Sequence, residues 1–225
     1  MTKKPWVTNG LSIAFGLLFL ASLIGQAISG VAYFNEQQIS ANLETVSMWQ
    51  YLTSSSFAVD VSENWQSEYL QFFLLIVLAV WLVQKGSPES KKVEQRGLES
   101  DKDQMVGQYA KEDSPAWAKT GGWKTALFSN SLGLVMGSIF ILSWLAQSVT
   151  GFSAYAQEQL QNLQDPGTWT DYVVSPEFWN RTLQNWQSEF LAVWSMVALS
   201  IFLRQRGSPE SKPVGEAHDA TGVEG

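Results

Sequence analysis

The chain has 225 residues, no cysteine, a single histidine (His218) and a formal net charge of −7. Without thiols there are no disulfides, thiolate nucleophiles or thiolate metal sites, and one histidine in a polar tail gives neither a histidine dyad nor a metal cluster. The acidic balance offers no basic face to nucleic acid, so we expect no metal, no cofactor, no catalytic residue and no nucleic-acid partner.

The apolar residues fall into four blocks with the charges between them, and eleven tryptophans are many for this length, as at a bilayer interface. Lys3 and Lys4 lead into an apolar run at residues 11–33, long enough as a helix to cross a hydrocarbon layer of ~30 Å. A basic start before an apolar run also describes a signal peptide. The same pattern recurs in mid-chain at residues 132–155, where no signal peptide can be, so both are read as permanent spans. Residues 34–63 hold no lysine or arginine; their polar start continues the first helix beyond the membrane. The corresponding stretch in the second half breaks at Asp165-Pro166-Gly167. Ser175-Pro176-Glu177 then reads as a helix start, with a capping serine, a proline at the first helical position and an acid that complements the dipole.

Two shorter apolar runs follow, at residues 69–83 and 190–203. Counting back ~20 residues from Leu203 reaches Gln184, so the preceding polar motif lies at the membrane boundary. Both runs end on a basic residue and a breaker, Lys85-Gly86-Ser87-Pro88 and Arg206-Gly207-Ser208-Pro209, where the helices are expected to stop. Residues 91–113 carry both charge signs and almost no large apolar side chain, and Trp117 and Trp123 mark the return to the interface.

These parallels are one repeat. Shifted by 121 residues, Asn9 falls on Asn130, Gly16 on Gly137, Ser22 on Ser143, Gln26 on Gln147, Gly30 on Gly151 and Phe57 on Phe178. The five residues Asn64-Trp65-Gln66-Ser67-Glu68 fall on Asn185-Trp186-Gln187-Ser188-Glu189. Gly86-Ser87-Pro88-Glu89-Ser90-Lys91 falls on Gly207-Ser208-Pro209-Glu210-Ser211-Lys212. The alignment slips by one between Trp49 and Trp169 and recovers at Tyr51 and Tyr172. The domains are therefore a first hairpin at 9–85, a largely disordered cytoplasmic linker at 86–124, a second hairpin at 130–206 and a disordered tail at 207–225.

Of the 14 lysines and arginines, two precede the first run, eight lie between Lys85 and Lys124, and three follow the last run. Only Arg181 falls in a segment of the other side. The positive-inside rule then puts both termini and the linker in the cytoplasm. With two spans per copy, the copies enter the membrane in the same direction. The expected fold is an all-α membrane protein, with four transmembrane helices as two tandem helical hairpins related by a pseudo-two-fold axis along the membrane normal.

The repeated motif puts Glu68 and Glu189 about one turn inside the apolar layer, beneath Trp65 and Trp186 as interfacial anchors. An ionisable group there is a candidate cation or proton site. With Asn64, Asn185, Gln26 and Gln147 the two glutamates could form one polar layer. The simpler reading is structural: each glutamate sits near a helix start at the interface, and the glutamines act as interhelical glue.

The pattern Trp144-Leu145-Ala146-Gln147-Ser148-Val149, then Trp169 and Tyr172, then Asn185-Trp186-Gln187-Ser188-Glu189-Phe190, then Phe202-Leu203-Arg204-Gln205-Arg206-Gly207-Ser208 resembles a bacterial family of integral membrane proteins defined as a domain of unknown function. The resemblance covers nearly the whole chain and is looser in the first half, where Leu23-Ile24-Gly25-Gln26 lacks the tryptophan. It implies a bacterial inner-membrane protein and brings no activity. The leading expectation is a non-enzymatic structural or interaction protein of the envelope, its partners the lipid bilayer and a membrane protein or a second copy. The rival is a transporter or channel component using Glu68 and Glu189; a membrane enzyme with paired glutamates is a third reading.

Overall fold

A computed structural model describes residues 8–223, and the described residues form helices and turns with no strand. The long helix α1 (Gly10–Ser40) is followed by the single turn-and-a-half α2 (Met48–Leu52) and by α3 (Ser55–Leu78). The linker holds 3-10 turns at Val93–Gln95 and Gly107–Tyr109 and the short helices α4 (Ala116–Thr120) and α5 (Gly122–Ser129). Then come α6 (Ser131–Gln161), α7 (Trp169–Val173) and α8 (Pro176–Leu199).

The second set matches the first in length: 31 residues for α1 and α6, 5 for α2 and α7, 24 for α3 and α8. Every start and end is offset by the same 121 residues, including α2 against α7. The expected slip at Trp49 and Trp169 is therefore absent. The tryptophans are not equivalent; the caps are. Ser47 accepts from Gln50 N while Gln50 returns to Ser47 N, and Thr168 and Asp171 do the same. These reciprocal capping boxes fix where each short helix begins.

Local chemistry explains the other boundaries. At the end of α1, Leu43 N donates to Gln38 O and Asn42 stands at φ 58; at the end of α6, Gln164 N donates to Gln159 O and Leu163 stands at φ 57. Both ends close in the same left-handed C-terminal motif. The helix start expected at Ser175 is present: its side chain accepts from Phe178 N, and Ser54 accepts from Phe57 N in the first copy.

The second helix of each copy stops earlier than expected, at Leu78 and Leu199 instead of at Lys85-Gly86 and Arg206-Gly207. At α8 the cause is Arg204, which folds back to donate to the carbonyls of Ser200, Ile201 and Leu203 and so satisfies groups a continuing helix would have used. At α3 the carbonyl of Val80 is taken by Gly97 N from the linker. Gly86 and Gly207 do adopt positive φ, at 88° and 80°, but in a turn beyond the helix.

Two helices, α1 and α6, are long and apolar enough to cross a membrane. At ~1.5 Å per residue each rises about 46 Å, more than the ~30 Å hydrocarbon core, so in a spanning helix the polar end would project. On α1 the apolar side chains face outward: Leu11, Phe15, Leu18 and Ile28 are each more than half exposed. The apolar parts of α3 and α8 within helix are shorter, because charged residues extend as far as Glu68 and Glu189.

Contacts divide the chain into two compact units. One comprises residues up to Val61 together with Ala146–Gly167; the other comprises Ser62–Leu145 together with the chain from Thr168 onward. Each unit thus draws on both copies of the repeat. In the first, Tyr51 of α2 is buried against Gly30 of α1, with its ring 5.6 Å from Phe34 and 5.4 Å from Phe57. Burial, and secondarily the charge of Asp60, raises the Tyr51 phenol above its ordinary value. In the second unit, α6 lies against α3 where glycine allows it: a Cβ at Gly137 would stand 3.0 Å from the Phe73 ring, and one at Gly133 3.7 Å from Val77.

Candidate functional site

Along α3, Val59, Ser62, Glu63, Gln66, Ser67 and Leu70 are buried. Steps of three and four put these residues on one helical face. Within the repeated motif that face takes Gln66 and Ser67, while Asn64, Trp65 and Glu68 are exposed on the other side. Ser67 closes on the Asn64 carbonyl at 3.0 Å, and Ser188 repeats this on Asn185 at 2.8 Å.

Two side-chain bridges join α3 to α8 on this face. Arg181 donates from Nε and Nη2 to the two carboxylate oxygens of Glu63 at 2.5 and 3.1 Å. Such a bidentate, charge-assisted pair is among the stronger polar contacts, and Glu63 is 9 % exposed. One turn further on, Trp186 donates its indole N–H to Gln66 Oε1 at 2.7 Å. Gln66 is completely buried. The polar edge of Trp186, the expected interfacial anchor, has an acceptor inside the protein. Asn185 turns its amide onto the Arg181 carbonyl at 3.0 Å and so stays on its own helix.

Below these bridges lies an aromatic cluster around Trp144 of α6. Its ring centre is 5.7 Å from Trp186, 5.8 Å from Phe140, 6.0 Å from Trp179 and 6.3 Å from Phe178. The mix of stacked and edge-on pairs is the arrangement ring quadrupoles favour. Gln66 Nε2 and Trp144 Nε1 are buried donors with no acceptor among the described residues. The interior of this unit is therefore polar as well as aromatic, and more specific in shape than an aliphatic seam.

The two glutamates stand apart from this core. Glu68 is exposed and Glu189 half-buried. In the other unit, Gln26 is half-buried on α1 and Gln147 is fully buried on α6, where Ser148 is also buried. No group of three or more histidines or carboxylates that could hold a metal occurs among the described residues.

Reading the sequence singled out Glu68 and Glu189 and passed over Glu63, Gln66, Arg181 and Trp144. The signal for three of these was available. Glu63 and Gln66 continue the three-and-four spacing that ends at Leu70, and Arg181 is the lone base of its segment. Trp144 had only the local signal of Phe140, one turn before it on α6, because its other neighbours, Phe178, Trp179 and Trp186, come from α8.

A family model described as Domain of unknown function (DUF6766) matches residues 2–223. No curated protein and no solved structure matches the chain.

Proposed function

The chain belongs to the DUF6766 family, and on that footing we propose that it is a non-enzymatic integral protein of the bacterial inner membrane, serving assembly or interaction at the envelope. Its four spans form two tandem hairpins related by a pseudo-two-fold axis along the membrane normal, with both termini and the linker in the cytoplasm. The observation that carries this reading is the offset of 121 residues shared by all three helices of each copy, each copy opening on an apolar helix of 31 residues. Thirteen of the 14 basic residues lie outside the loop segments assigned to the far side, which supports the orientation.

The test uses the absence of native cysteine. A single cysteine at Ser100 should react with a membrane-impermeant maleimide only after cells are opened, and one at Thr45 should react in intact cells. Labelling of Ser100→Cys from outside would overturn the orientation, and release of the wild-type protein by alkaline carbonate would overturn membrane integration.

A second reading makes Glu68 and Glu189 a proton or cation site, and what favours it is a carboxylate at the same place of the motif in each copy, at the start of an apolar run. The double change Glu68→Gln with Glu189→Gln separates the two. Abolition of a pH- or cation-dependent flux in proteoliposomes supports transport; unchanged behaviour with no flux in either protein supports the structural reading.

A further inference from the structure

The hexapeptide Gly-Ser-Pro-Glu-Ser-Lys occurs at residues 86–91 and again at 207–212, and both copies lie in the second compact unit. The two fold into the same turn. Gln84 N donates to Ser90 Oγ at 2.8 Å, and Gln205 N to Ser211 Oγ at 2.9 Å. Ser87 N donates to Gln84 O at 3.1 Å, and Ser208 N to Gln205 O at 3.2 Å. Gly86 and Gly207 share a left-handed φ, 88° and 80°.

Their surroundings differ. Gly86, Ser87 and Pro88 are buried, because the tail lies across them. Gly86 N donates to Thr221 Oγ1 at 2.8 Å, Gly222 N to Ser87 O at 3.1 Å, and Lys212 Nζ to Gly86 O at 2.6 Å. A Cβ at Gly86 would stand 2.6 Å from the His218 carbonyl oxygen, whereas one at Gly207 would meet no atom of the described residues within 4 Å. Gly207 and Pro209 are exposed. One turn is strapped and its twin is open.

The repeat indicates what fits the open turn. Each turn is followed by a polar segment, the linker after the first and the tail after the second. Shifted by 121 residues, Lys91 falls on Lys212 and Ser100 on Thr221. The two side chains that fasten the tail, an ammonium and a hydroxyl, therefore stand at the same places in the linker. Lys212 directly follows the second turn and bonds the first, so the turns lie within one lysine side chain of each other. Lys91 directly follows the first.

In this structure both linker groups are held locally. Lys91 pairs with Glu99 at 2.8 Å, both about a third exposed, and donates to Gly97 O at 3.2 Å. Ser100 donates to Asp103 at 2.6 Å, and Gln104 also donates to Glu99. At the place of Glu99 the tail has Ala220, whose carbonyl accepts from Lys212 at 3.2 Å. The carboxylate that occupies the linker lysine has no counterpart in the tail.

We propose that the linker at 91–101 is a second strap, which closes on the Gly207 turn with Lys91 Nζ donating to the Gly207 carbonyl and Ser100 Oγ accepting from the Gly207 amide, and that the Lys91–Glu99 pair holds it open. Salt screens an exposed ion pair, but screens an ammonium enclosed by carbonyls much less. The strap therefore closes as ionic strength rises. It belongs to the second unit alone and does not depend on the membrane orientation.

The experiment is hydrogen exchange of the full chain in detergent, read at the Gly207 amide with the Gly86 amide as reference. In the wild type Gly207 should exchange fast at low salt and slow as salt is added, while Gly86 stays protected. Glu99→Ala, which gives the linker the tail's residue, should slow Gly207 about tenfold at low salt, the scale of one added hydrogen bond, and remove the salt response. Lys91→Met or Ser100→Ala, each combined with Glu99→Ala, should restore the fast rate. A Gly207 amide unmoved by Glu99→Ala and by salt overturns the proposal, and so does a slowing that Lys91→Met and Ser100→Ala leave intact. Equal slowing of Gly86 and Gly207 also overturns it, because that marks a general stabilisation and no strap.

Discussion

Trp186 of the second motif donates its indole N–H to Gln66 of the first at 2.7 Å, while the reciprocal residues, Trp65 and Gln187, both lie exposed. Identical five-residue motifs therefore occupy unlike environments, and one contact uses one residue from each. Trp186→Phe keeps the ring in the Trp144 cluster but leaves the Gln66 carbonyl buried without its donor. We expect a loss of about 1–3 kcal/mol, the cost of an unsatisfied buried polar group. Trp65→Phe, at a position 42 % exposed, should cost less than Trp186→Phe. Thermal unfolding of the two variants in detergent tests this, and equal losses would contradict the asymmetry.

The Glu63–Arg181 bridge is also specific to one pairing of the copies. Shifted by the repeat, Arg181 corresponds to Asp60 and Glu63 to Gln184, so the symmetric counterpart lacks the charges to form it. The Arg181 side chain is 36 % exposed and that of Glu63 11 %, so solvent screens the pair only in part. A double-mutant cycle with Glu63→Gln and Arg181→Gln should give a coupling of about 1–2 kcal/mol, above the usual value for fully exposed pairs. A coupling indistinguishable from zero would mean that the bridge closes no gap between α3 and α8.

Much of the architecture was legible because it is local. The cap at Ser175 and the continuation of the first helix through its polar end to Ser40 follow from side chains near in sequence. So does the break before α7, though its closing residue, Leu163, carries no glycine signal. The ends of α3 and α8 were misread because Gly86 and Gly207 look like helix stops, while the groups that end the helices, Arg204 and the Gly97 amide, act from beyond them. Identity between copies drew attention to Glu68, whereas burial follows the helical face and adds Glu63 and Gln66. In the aromatic cluster around Trp144 the Phe140 pair is local, one turn apart on α6, while Phe178, Trp179 and Trp186 reach it from α8, which no spacing within one segment encodes.

Leu163 marks a local fault that substitution can repair. It occupies the left-handed position that closes α6, at φ 57, and is 96 % exposed. Asn42 fills the equivalent place after α1, and asparagine tolerates that conformation where leucine is strained. Leu163→Gly or Leu163→Asn should stabilise the protein by about 1 kcal/mol. Differential scanning calorimetry checks it; a lower melting temperature for both variants would show that the Leu163 side chain has a role the strain argument omits.

The repeated lysines Lys91 and Lys212 give the sharpest contrast between copies. Lys212 is 1 % exposed, and its ammonium donates to the carbonyls of Gly86 at 2.6 Å, His218 at 2.8 Å, and Ala217 and Ala220 at 3.2 Å each. This ties the last residues to the turn after α3, with Gly86 N donating to Thr221 Oγ1 at 2.8 Å beside it. Lys91 instead pairs with Glu99, both partners about a third exposed. Lys212→Met leaves several buried carbonyls without a donor, a cost of about 1–3 kcal/mol, whereas Lys91→Met removes a surface pair of about 0–1 kcal/mol. In hydrogen exchange, Lys212→Met should raise the rates of the Gly86 and Gly222 amides together, because both are held by the clasp. Lys91→Met should leave them unchanged. If the Gly222 amide already exchanges freely in the wild type, the tail is not clasped, and the Gly86 turn must be held by its own copy alone.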